Sequence, residues 1–462
     1  MNPIPTDLRH RLRLHHQEHL LNGWDALTVD TQHRLILQLA GVDLEEIDQL
    51  FQSSRTSHAA FDEHSIAPIQ VLAQQEVTAI HRDLGHQAIA DGKFAVLLVA
   101  GGQGSRLGFP KPKGMYPIGP ISQKTLFQIH AEKVLACGLR YGRKIPLILL
   151  TSPATHEETL IYLQENHYFG LDPKWVFLIQ QGTMPAVDRT TGKLLLEAPG
   201  VLFTSPNGHG GTISALIEDG MIDRLTELGV EHLFYFQVDN PLVQVLEPGF
   251  VGLHIEQRSQ VSSKAVAKAY PKEKMGVFAT IAGKCGIVEY SDLPEKKAAE
   301  ITNTGELVYR FGNPAIHMFE LKFLSEISGT GLPYHIAHKK VPYIDEHGVK
   351  IEPTTENALK FEKFIFDSLP LAERWVLLET PRADEFAPVK NLEGTDTPET
   401  CQRGMIELFA RWCESVGLDV ERTEQGLSSH PIEISPRFAS TPEELAARIW
   451  GKLAIRDAHL WE

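Results

Sequence analysis

Short apolar runs alternate with amphipathic segments from residue 94 to residue 239, and this alternation constrains the fold more than any other feature of the sequence. The apolar runs are AVLLVA (95–100), PLILLTS (146–152), WVFLIQ (175–180) and HLFYFQVD (232–239). Since each run is apolar along its whole length, we expect β-strands that are covered on both faces. The segments between the runs predict helices at 125–137, 155–167 and 212–228. Strands that alternate with helices predict an α/β fold with a mostly parallel, Rossmann-like sheet wound with helices.

The regions on either side of this alternation have different patterns. Apolar residues at helical intervals predict an N-terminal helical cap, and the polar stretch 52–67 predicts a linker. The runs at 261–269 and 276–292 predict antiparallel additions to the sheet. Capping patterns predict two late helices, which begin after Thr397 and Thr441. We therefore predict three regions, which are an N-terminal helical region with its linker (1–67), a central α/β domain (68–385) and a small C-terminal domain (386–462).

Composition and charge exclude several classes of function. The chain has 462 residues with 44 basic and 59 acidic side chains, a formal net charge of −15, so we do not expect nucleic acid as a partner. No run approaches the roughly 18 consecutive apolar residues that a membrane helix needs, and the amino terminus lacks the apolar stretch of a signal peptide. We therefore expect no membrane partner and a cytoplasmic location. The four cysteines show no CxxC spacing, so they indicate neither a disulfide framework nor a zinc site.

A glycine-rich loop follows the first apolar run directly. Gly101, Gly102 and Gly104 lie in this loop, where glycine permits positive φ and lets backbone N–H groups approach anionic oxygens. Ligands of α/β proteins bind at the carboxyl ends of parallel strands, so the loop predicts a ligand that carries phosphate. It is not a Walker loop, and its third glycine, Gly108, falls one place late for the dinucleotide fingerprint. Hydride transfer with a dinucleotide is therefore disfavoured.

Cations accompany the loop, since Arg106 lies within it and Lys113 follows it. A guanidinium binds phosphate in a fixed fork and an ammonium acts as a point charge, so both suit a polyphosphate. The longer string GGQGSRLGFPKPKGMYPIG (101–119) resembles the loop of the eukaryotic-type UDP-sugar pyrophosphorylases, most closely the UDP-N-acetylhexosamine branch. Similar stretches are KTLFQIHAEKV (124–134), PNGHGG (206–211), FQVDNPLV (236–243), IVEYSD (287–292), GNPAIHMF (312–319), KFEKFIFD (360–367) and EFAPVKN (385–391). The resemblance implies a GT-A-like nucleotidyltransferase domain that joins UTP to a sugar 1-phosphate.

The resemblance also implies which residues carry the chemistry. Two anions must meet in this reaction, so it needs cations and a metal more than a proton-transfer base. The implied catalytic residues are Arg106 and Lys113 on the triphosphate and Lys390 at the phosphate of the second substrate. Asp239 is the implied ligand of Mg²⁺, a cation that prefers oxygen ligands and shares its shell with substrate phosphates. Asn240 is expected to orient that carboxylate. Lys390 also precedes the C-terminal domain, which would be able to close over the site.

The same resemblance implies binding residues for both substrates. Those for the nucleotide are Gly101, Gly102, Gly104, Gln181 and Gly208; those for the sugar are Asn207, His209, Glu289, Asn313, Phe364 and Phe366. His209 departs from the asparagine that is more frequent at its position in the family, although an imidazole can donate where an amide does. Phe364 and Phe366 are equally compatible with a place in the core.

The prediction for function is a Mg²⁺-dependent uridylyltransferase that forms UDP-N-acetylglucosamine, or a close N-acetylhexosamine, and pyrophosphate. The alternative in the same class is a UTP:glucose-1-phosphate uridylyltransferase or an enzyme that accepts several sugars. A more distant alternative is a protein that binds UDP-sugars without catalysis. UTP and a sugar 1-phosphate are the expected partners, and the sequence does not indicate an oligomeric state.

Overall fold

A computed structural model describes residues 3–56, 65–449 and 454–462. Contacts between Cα atoms divide the chain into two compact units. Unit 1 consists of Met1–Asp62, Gln181–Thr212 and Gly331–Asp367, and unit 2 consists of Glu63–Gln180, Ile213–Thr330 and Ser368–Glu462. The central segment 68–385 therefore contributes chain to both units. The domain boundaries given above stay a prediction.

Unit 1 contains the N-terminal helices and small antiparallel sheets. Its α-helices are Thr6–Leu14, Val29–Ala40 and Leu44–Thr56. Its strands are Thr183–Pro185, Val187–Asp188, Leu196–Ala198, Val201–Leu202, Thr204–Pro206, Tyr334–Lys339, Tyr343–Ile344, Lys350–Ile351 and Ala358–Lys363. The helices bury Leu12, Leu35 and Ile47 in one core with Val187 and Phe361 of the strands. The N-terminal helices are thus part of the hydrophobic core of this unit.

Unit 2 is built on one mixed sheet of 11 strands. In spatial order its main path is Ile66–Ala67, Val277–Ile281, Phe311–Gly312, Val261–Ala267, His317–Glu320, His232–Gln237, Phe94–Val99, Leu147–Thr151 and Val176–Gln180, while Lys284–Val288 pairs with Val277–Ile281 and Trp375–Glu379 with Val261–Ala267. The four strands from His232–Gln237 to Val176–Gln180 run parallel to one another. The α/β prediction, the four apolar strands and the antiparallel hairpin at 277–288 are therefore confirmed.

The α-helices of unit 2 cover this sheet and form its C-terminal region. They are Ala79–Ala90, Leu126–Tyr141, His156–Glu165, Met221–Glu227, Pro248–Glu256, Glu295–Ala298, Leu321–Ser328, Arg382–Glu385, Pro398–Ser415 and Pro442–Arg448, and Gly211–Glu218 begins in unit 1. Thr397 and Thr441 cap the last two, as predicted. No helix of the described residues is long and apolar enough to cross a membrane.

Two predicted segments differ from the structure. The single helix predicted at 212–228 is two helices, because Gly220 adopts φ +66° and interrupts the α conformation between them. Residues 52–56 of the predicted linker belong to the helix Leu44–Thr56, and its positions 57–64 lie outside the described residues. Polarity alone is therefore a poor sign of a loop when the helix has one buried face.

The C-terminal region of unit 2 is joined firmly to the sheet. Cys401, Met405 and Leu408 of the helix Pro398–Ser415 belong to the same buried cluster as the strand Phe94–Val99. Glu433, which is 2% exposed, accepts hydrogen bonds from the backbone N–H groups of Ile121 and Ser122 at 2.7 and 2.8 Å. A shared core and a buried carboxylate bonded to backbone resist relative motion, so closure of this region over the site receives no support from the packing.

Candidate functional site

The carboxyl ends of three parallel strands bring the predicted phosphate-binding residues to one edge of the unit 2 sheet. Gly101 follows Phe94–Val99, and its carbonyl accepts a hydrogen bond at 2.8 Å from the Ser152 hydroxyl, which follows the neighbouring strand. Asp239 follows His232–Gln237, which pairs with Phe94–Val99 through Gln237 and Val99. The glycine loop and Asp239 therefore lie at the same edge.

The glycine loop is folded back on itself by backbone hydrogen bonds. Lys113 N–H donates to Gly102 C=O at 3.0 Å, and Gly104 N–H donates to Lys111 C=O at 2.9 Å. A Cβ on Gly104 would lie 2.8 Å from the carbonyl oxygen of Phe109, so this position excludes a side chain, whereas a Cβ on Gly102 would meet nothing within 4 Å. Packing thus explains Gly104, and the exposed Gly102 leaves its backbone open to a ligand.

Positive φ is used at one glycine of this loop. Among its described residues, Gly108 has φ +64°, whereas Gly101, Gly102 and Gly104 do not have positive φ. The reason for glycine at Gly104 is the close approach of the backbone, which sequence spacing does not reveal.

Lys113 and Asp239 lie next to each other in the strand-end site, a name we give to the loop 101–113, Asp239 and the segment 385–392. The Lys113 Nζ atom is 3.8 Å from Asp239 Oδ2 and 3.5 Å from the carbonyl oxygen of Val389. Asp239 is 9% exposed, so its carboxylate is largely shielded from water. Coulomb attraction between the two groups is stronger at such a site than in bulk water. An anionic substrate would therefore meet a cation and a carboxylate that are already positioned.

The segment 385–392 ties the two loops of the strand-end site together. Val389 N–H donates to Asp239 C=O at 2.8 Å, and Leu392 N–H donates to Arg106 C=O at 3.1 Å. The Asn240 side chain donates to Glu385 C=O at 2.7 Å and accepts from Ala387 N–H at 3.1 Å. Asn240 was expected to orient the Asp239 carboxylate, but these bonds hold the segment instead. Sequence reasoning missed the backbone role of this segment, since no residue type signals it.

The remaining predicted cations lie on the same framework. The Arg106 side chain is exposed, while its carbonyl is held by Leu392. Lys390 N–H donates to Asp396 C=O at 2.7 Å, and the Lys390 ammonium lies 3.6 Å from the Asp396 carboxylate and 5.6 Å from the centre of the Phe386 ring. The structure therefore brings Lys113 and Asp239 into contact and places Arg106 and Lys390 on the segments that flank them.

Glu289 and Asn313, predicted to bind sugar, both lie beside Gly276 in unit 2. Asn313 N–H donates to Gly276 C=O at 2.9 Å, and a Cβ on Gly276 would lie 2.8 Å from Glu289 Oε1. The Asn313 side chain accepts from Ala315 N–H at 2.8 Å, which fixes its amide. The two predicted residues are thus neighbours, and no sequence pattern marks Gly276 as part of this group.

The other predicted residues belong to unit 1. Gln181 is 6% exposed. Asn207 N–H donates to Gly182 C=O at 3.0 Å, and Asn207 C=O accepts from Lys363 N–H at 2.7 Å. Gly208 has φ +83°, and a Cβ there would lie 2.3 Å from the Lys363 carbonyl oxygen, so only glycine fits. The buried Asn207 Oδ1 finds no hydrogen-bond partner among the described residues, which leaves an acceptor for a donor group of a ligand.

His209, His335, Phe364 and Phe366 form what we call the aromatic cluster of unit 1. The Phe364 ring lies 5.3 Å from the His209 ring and 4.5 Å from the His335 ring, measured between centroids. His335 Nε2 lies 2.8 Å from an Asp367 carboxylate oxygen. Phe364 is partly exposed and follows the strand Ala358–Lys363, whereas Phe366 is 7% exposed. Phe366 is therefore mainly a packing residue, and His335 is a member that sequence reasoning missed.

His209 is a neutral hydrogen-bonding group in this cluster. Burial, with a smaller contribution from the neighbouring His335, lowers the pKa of His209 to about 4. Its Nδ1 atom accepts from Ile365 N–H at 3.2 Å, so the proton of the neutral ring lies on Nε2. His209 can therefore donate a hydrogen bond from Nε2, as the sequence comparison with asparagine suggested.

The residues at the strand-end site fit a magnesium ion only in part. Among the residues that the structure describes, no group of three or more His, Cys, Asp or Glu side chains could hold a metal ion. The carboxylate that the structure places beside Lys113 is that of Asp239. Mg²⁺ frequently keeps water and is bound through one or two carboxylates with substrate phosphates. The donor set therefore fits a metal that arrives with a nucleotide, and it does not fit a metal held by protein alone.

Comparison with known proteins gives a consistent result. Residues 44–408 match the family model described as UTP–glucose-1-phosphate uridylyltransferase. The chain is 36% identical to UDP-N-acetylglucosamine diphosphorylase 2 of Arabidopsis thaliana, over 96% of this chain and 91% of the relative. It is 33% identical to UDP-N-acetylglucosamine pyrophosphorylase of Saccharomyces cerevisiae, over 93% and 94%. The crystal structure of the Trypanosoma brucei uridine diphosphate N-acetylglucosamine pyrophosphorylase is similar, with a TM-score of 0.82, 27% identity and coverage of 97% and 95%.

Proposed function

From the premise that the chain belongs to the UTP–glucose-1-phosphate uridylyltransferase family, we propose that it transfers a uridylyl group from UTP to N-acetylglucosamine 1-phosphate. A phosphate oxygen of the sugar phosphate forms a bond to the α-phosphorus of UTP, and the bond from that phosphorus to the bridging oxygen breaks. The products are UDP-N-acetylglucosamine and pyrophosphate. One phosphoanhydride replaces another, so the reaction runs in both directions.

The contact between Lys113 and Asp239 is the observation that carries this proposal. The ammonium and the carboxylate lie 3.8 Å apart at the ends of parallel strands, where α/β proteins bind their ligands. Lys113 offers a fixed positive charge for the oxygens of the α-phosphate, on which negative charge accumulates in the transition state. Arg106 binds the leaving β- and γ-phosphates, and Lys390 binds the phosphate of the sugar. The protein acts mainly by positioning charge.

Magnesium is the cofactor that we propose for this site. When bound with UTP, Mg²⁺ neutralises charge on the phosphate oxygens. Asp239 would be its protein ligand, with the phosphates of UTP and water as the remaining ligands. The hydrogen bond from Val389 N–H to Asp239 C=O holds the backbone that carries this carboxylate.

The test is an assay of pyrophosphate release from UTP with N-acetylglucosamine 1-phosphate, N-acetylgalactosamine 1-phosphate and glucose 1-phosphate, with and without Mg²⁺. We expect release with the N-acetylated sugars, dependence on Mg²⁺, and a loss of at least about 100-fold in Asp239→Asn. Lack of release with every sugar phosphate would contradict the proposed function. Release that is unaffected by chelation would contradict the role of the metal.

The second candidate is a UTP:glucose-1-phosphate uridylyltransferase, which the description of the family model favours. The names of the relatives favour the acetylated sugar. The same assay separates the two, because a higher kcat/KM for glucose 1-phosphate than for N-acetylglucosamine 1-phosphate selects the second candidate.

A further inference from the structure

Two basic side chains of one helix hold the loop that carries Asp239. His130 Nε2 donates to the carbonyl of Val238 at 2.9 Å. The Lys133 ammonium donates to the carbonyl of Val243 at 2.8 Å and also to that of Pro241. The two side chains are three residues apart on the helix Leu126–Tyr141 and therefore lie on the same face. Carbonyl groups on both sides of the Asp239–Asn240 pair are thus held by this helix.

Burial of the Lys133 ammonium costs free energy, and a residue that only packs in the core does not require a charge. Burial lowers the pKa of Lys133 to about 7, and within the described parts of the chain no carboxylate oxygen forms an ion pair with it at 4.0 Å or less. The wall of the cavity that it lines is otherwise largely apolar, with Leu242, Leu246 and Trp412 among its members. A hydrocarbon side chain would line this wall without the cost of removing a charge from water.

The opposite side of the same loop is held by the segment 385–389. Val389 N–H donates to Asp239 C=O, and the Asn240 side chain bonds to Glu385 C=O and Ala387 N–H. The loop 238–243 is therefore fixed from two directions, by the helix on one side and by the segment on the other. Removal of either support releases carbonyl or amide groups next to the Asp239 carboxylate.

We propose that Lys133 is a positioning residue that orders the loop 238–243 and thereby sets the Asp239 carboxylate for the magnesium complex of UTP. It acts through the carbonyls of Pro241 and Val243 and does not touch the substrate. This inference rests on the proposed function, since it assigns a support to the proposed metal ligand. Residues that orient metal ligands contribute about 10- to 100-fold to metal affinity or activity in other proteins.

The test is Lys133→Met, which keeps the length of the side chain and removes its charge and its donors. Calorimetric titration with UTP, without sugar phosphate and with or without Mg²⁺, measures how much the metal increases the affinity for the nucleotide. We expect this Mg²⁺-dependent increase to fall about tenfold, with the affinity for UTP alone unchanged. We expect the midpoint of thermal unfolding to change little, because removal of a buried charge is offset by the loss of a donor to the Pro241 and Val243 carbonyls. If Lys133→Met does not fold, Lys133→Leu replaces it, since leucine also lacks a charge and a donor.

Lys124→Met is the matched control. Lys124 is 9% exposed and donates to Glu132 and Ser435 at 2.9 Å each, so it is a buried lysine near the same helix that does not contact the loop 238–243. We expect a lower thermal midpoint and the Mg²⁺ effect of the wild type. A Lys133→Met protein whose Mg²⁺ effect lies within about twofold of the wild type, or no larger a loss than in the control, would overturn the proposal. Absence of pyrophosphate release by the wild type would contradict the proposed function alone, because the titration does not depend on turnover.

Discussion

The strand-end site of unit 2 and the aromatic cluster of unit 1 are held by different forces. In the first, backbone hydrogen bonds between distant segments fix a cation and a carboxylate, as in the bond from Val389 to Asp239. In the second, rings pack around a neutral imidazole, and Phe364 lies between His209 and His335. The first arrangement suits a reaction in which charge is redistributed. The second suits discrimination between neutral groups of a sugar by shape.

This difference has a consequence for substitutions. If the strand-end site stabilises the transition state as proposed, a change there should lower kcat. If the aromatic cluster binds the sugar as predicted, a change there should act on KM and on the ratio between sugars. The predictions below test whether the two regions separate in this way.

The largest effect is expected for Lys113→Ala. Loss of the ammonium beside Asp239 should lower kcat at least about 100-fold, which corresponds to about 2.7 kcal/mol of barrier. The measurement is steady-state release of pyrophosphate at saturating UTP, sugar phosphate and Mg²⁺. Lys144→Ala is the control, because Lys144 is an exposed lysine of unit 2 that pairs with Asp172. Equal kcat in the wild type and Lys113→Ala would exclude the role assigned to Lys113.

A smaller effect, mainly on selectivity, is expected for Phe364→Ala. The ring is partly exposed, and its loss should lower the ratio of kcat/KM for N-acetylglucosamine 1-phosphate to that for glucose 1-phosphate about tenfold, since apolar contacts of this size contribute about 1–3 kcal/mol. The value of kcat for glucose 1-phosphate should change little. Competition between the two sugar phosphates in one reaction measures the ratio directly.

The control for this variant is Phe203→Ala. Phe203 is an aromatic residue of unit 1 outside the aromatic cluster, and its ring lies 4.8 Å from the Lys360 ammonium. This control should leave the ratio unchanged. An unchanged ratio in Phe364→Ala, together with a large fall in kcat for both sugars, would contradict the proposal that the aromatic cluster determines selectivity and the strand-end site determines kcat.

Local patterns predicted much of the fold. The strand Phe94–Val99 and its parallel neighbours were predicted from continuous apolar runs, because a strand covered on both faces has no polar side to interrupt it. The caps Thr397 and Thr441 were predicted from a local hydrogen bond within three residues. The break between two helices at Gly220 was not predicted. The amphipathic pattern continues across this glycine, and its conformation depends on its surroundings.

Long-range arrangements within the site could not be predicted in this way. The rule that strand ends meet at one edge places the glycine loop and Asp239 near each other, but it does not predict the contact of Lys113 with Asp239. The role of Val389 and Leu392 depends on backbone groups that every residue type carries, so no pattern in the sequence marks it. The sequence does not predict His335 as a member of the aromatic cluster either. Its contact with Phe364 depends on the pairing of the strand Tyr334–Lys339 with Ala358–Lys363. Residue types predict chemistry, and tertiary pairing decides which groups meet.

The smallest effect is expected for the pH dependence of the free energy of unfolding. It tests whether the His209 imidazole of the aromatic cluster is neutral. Burial lowers the pKa of His209 from 6.5 to about 4, so between these values the unfolded chain binds a proton that the native protein does not. The free energy of unfolding should therefore fall as the pH is lowered from 7 to 5, and His209 should contribute about 1 kcal/mol of this fall. Denaturant unfolding of the wild type and His209→Gln at both pH values measures it. His33→Gln, which alters an exposed histidine of the helix Val29–Ala40, should retain the fall of the wild type. Equal falls in the wild type and His209→Gln would indicate that His209 accepts a proton as readily in the native cluster as in water, and the cluster would then carry charge like the strand-end site.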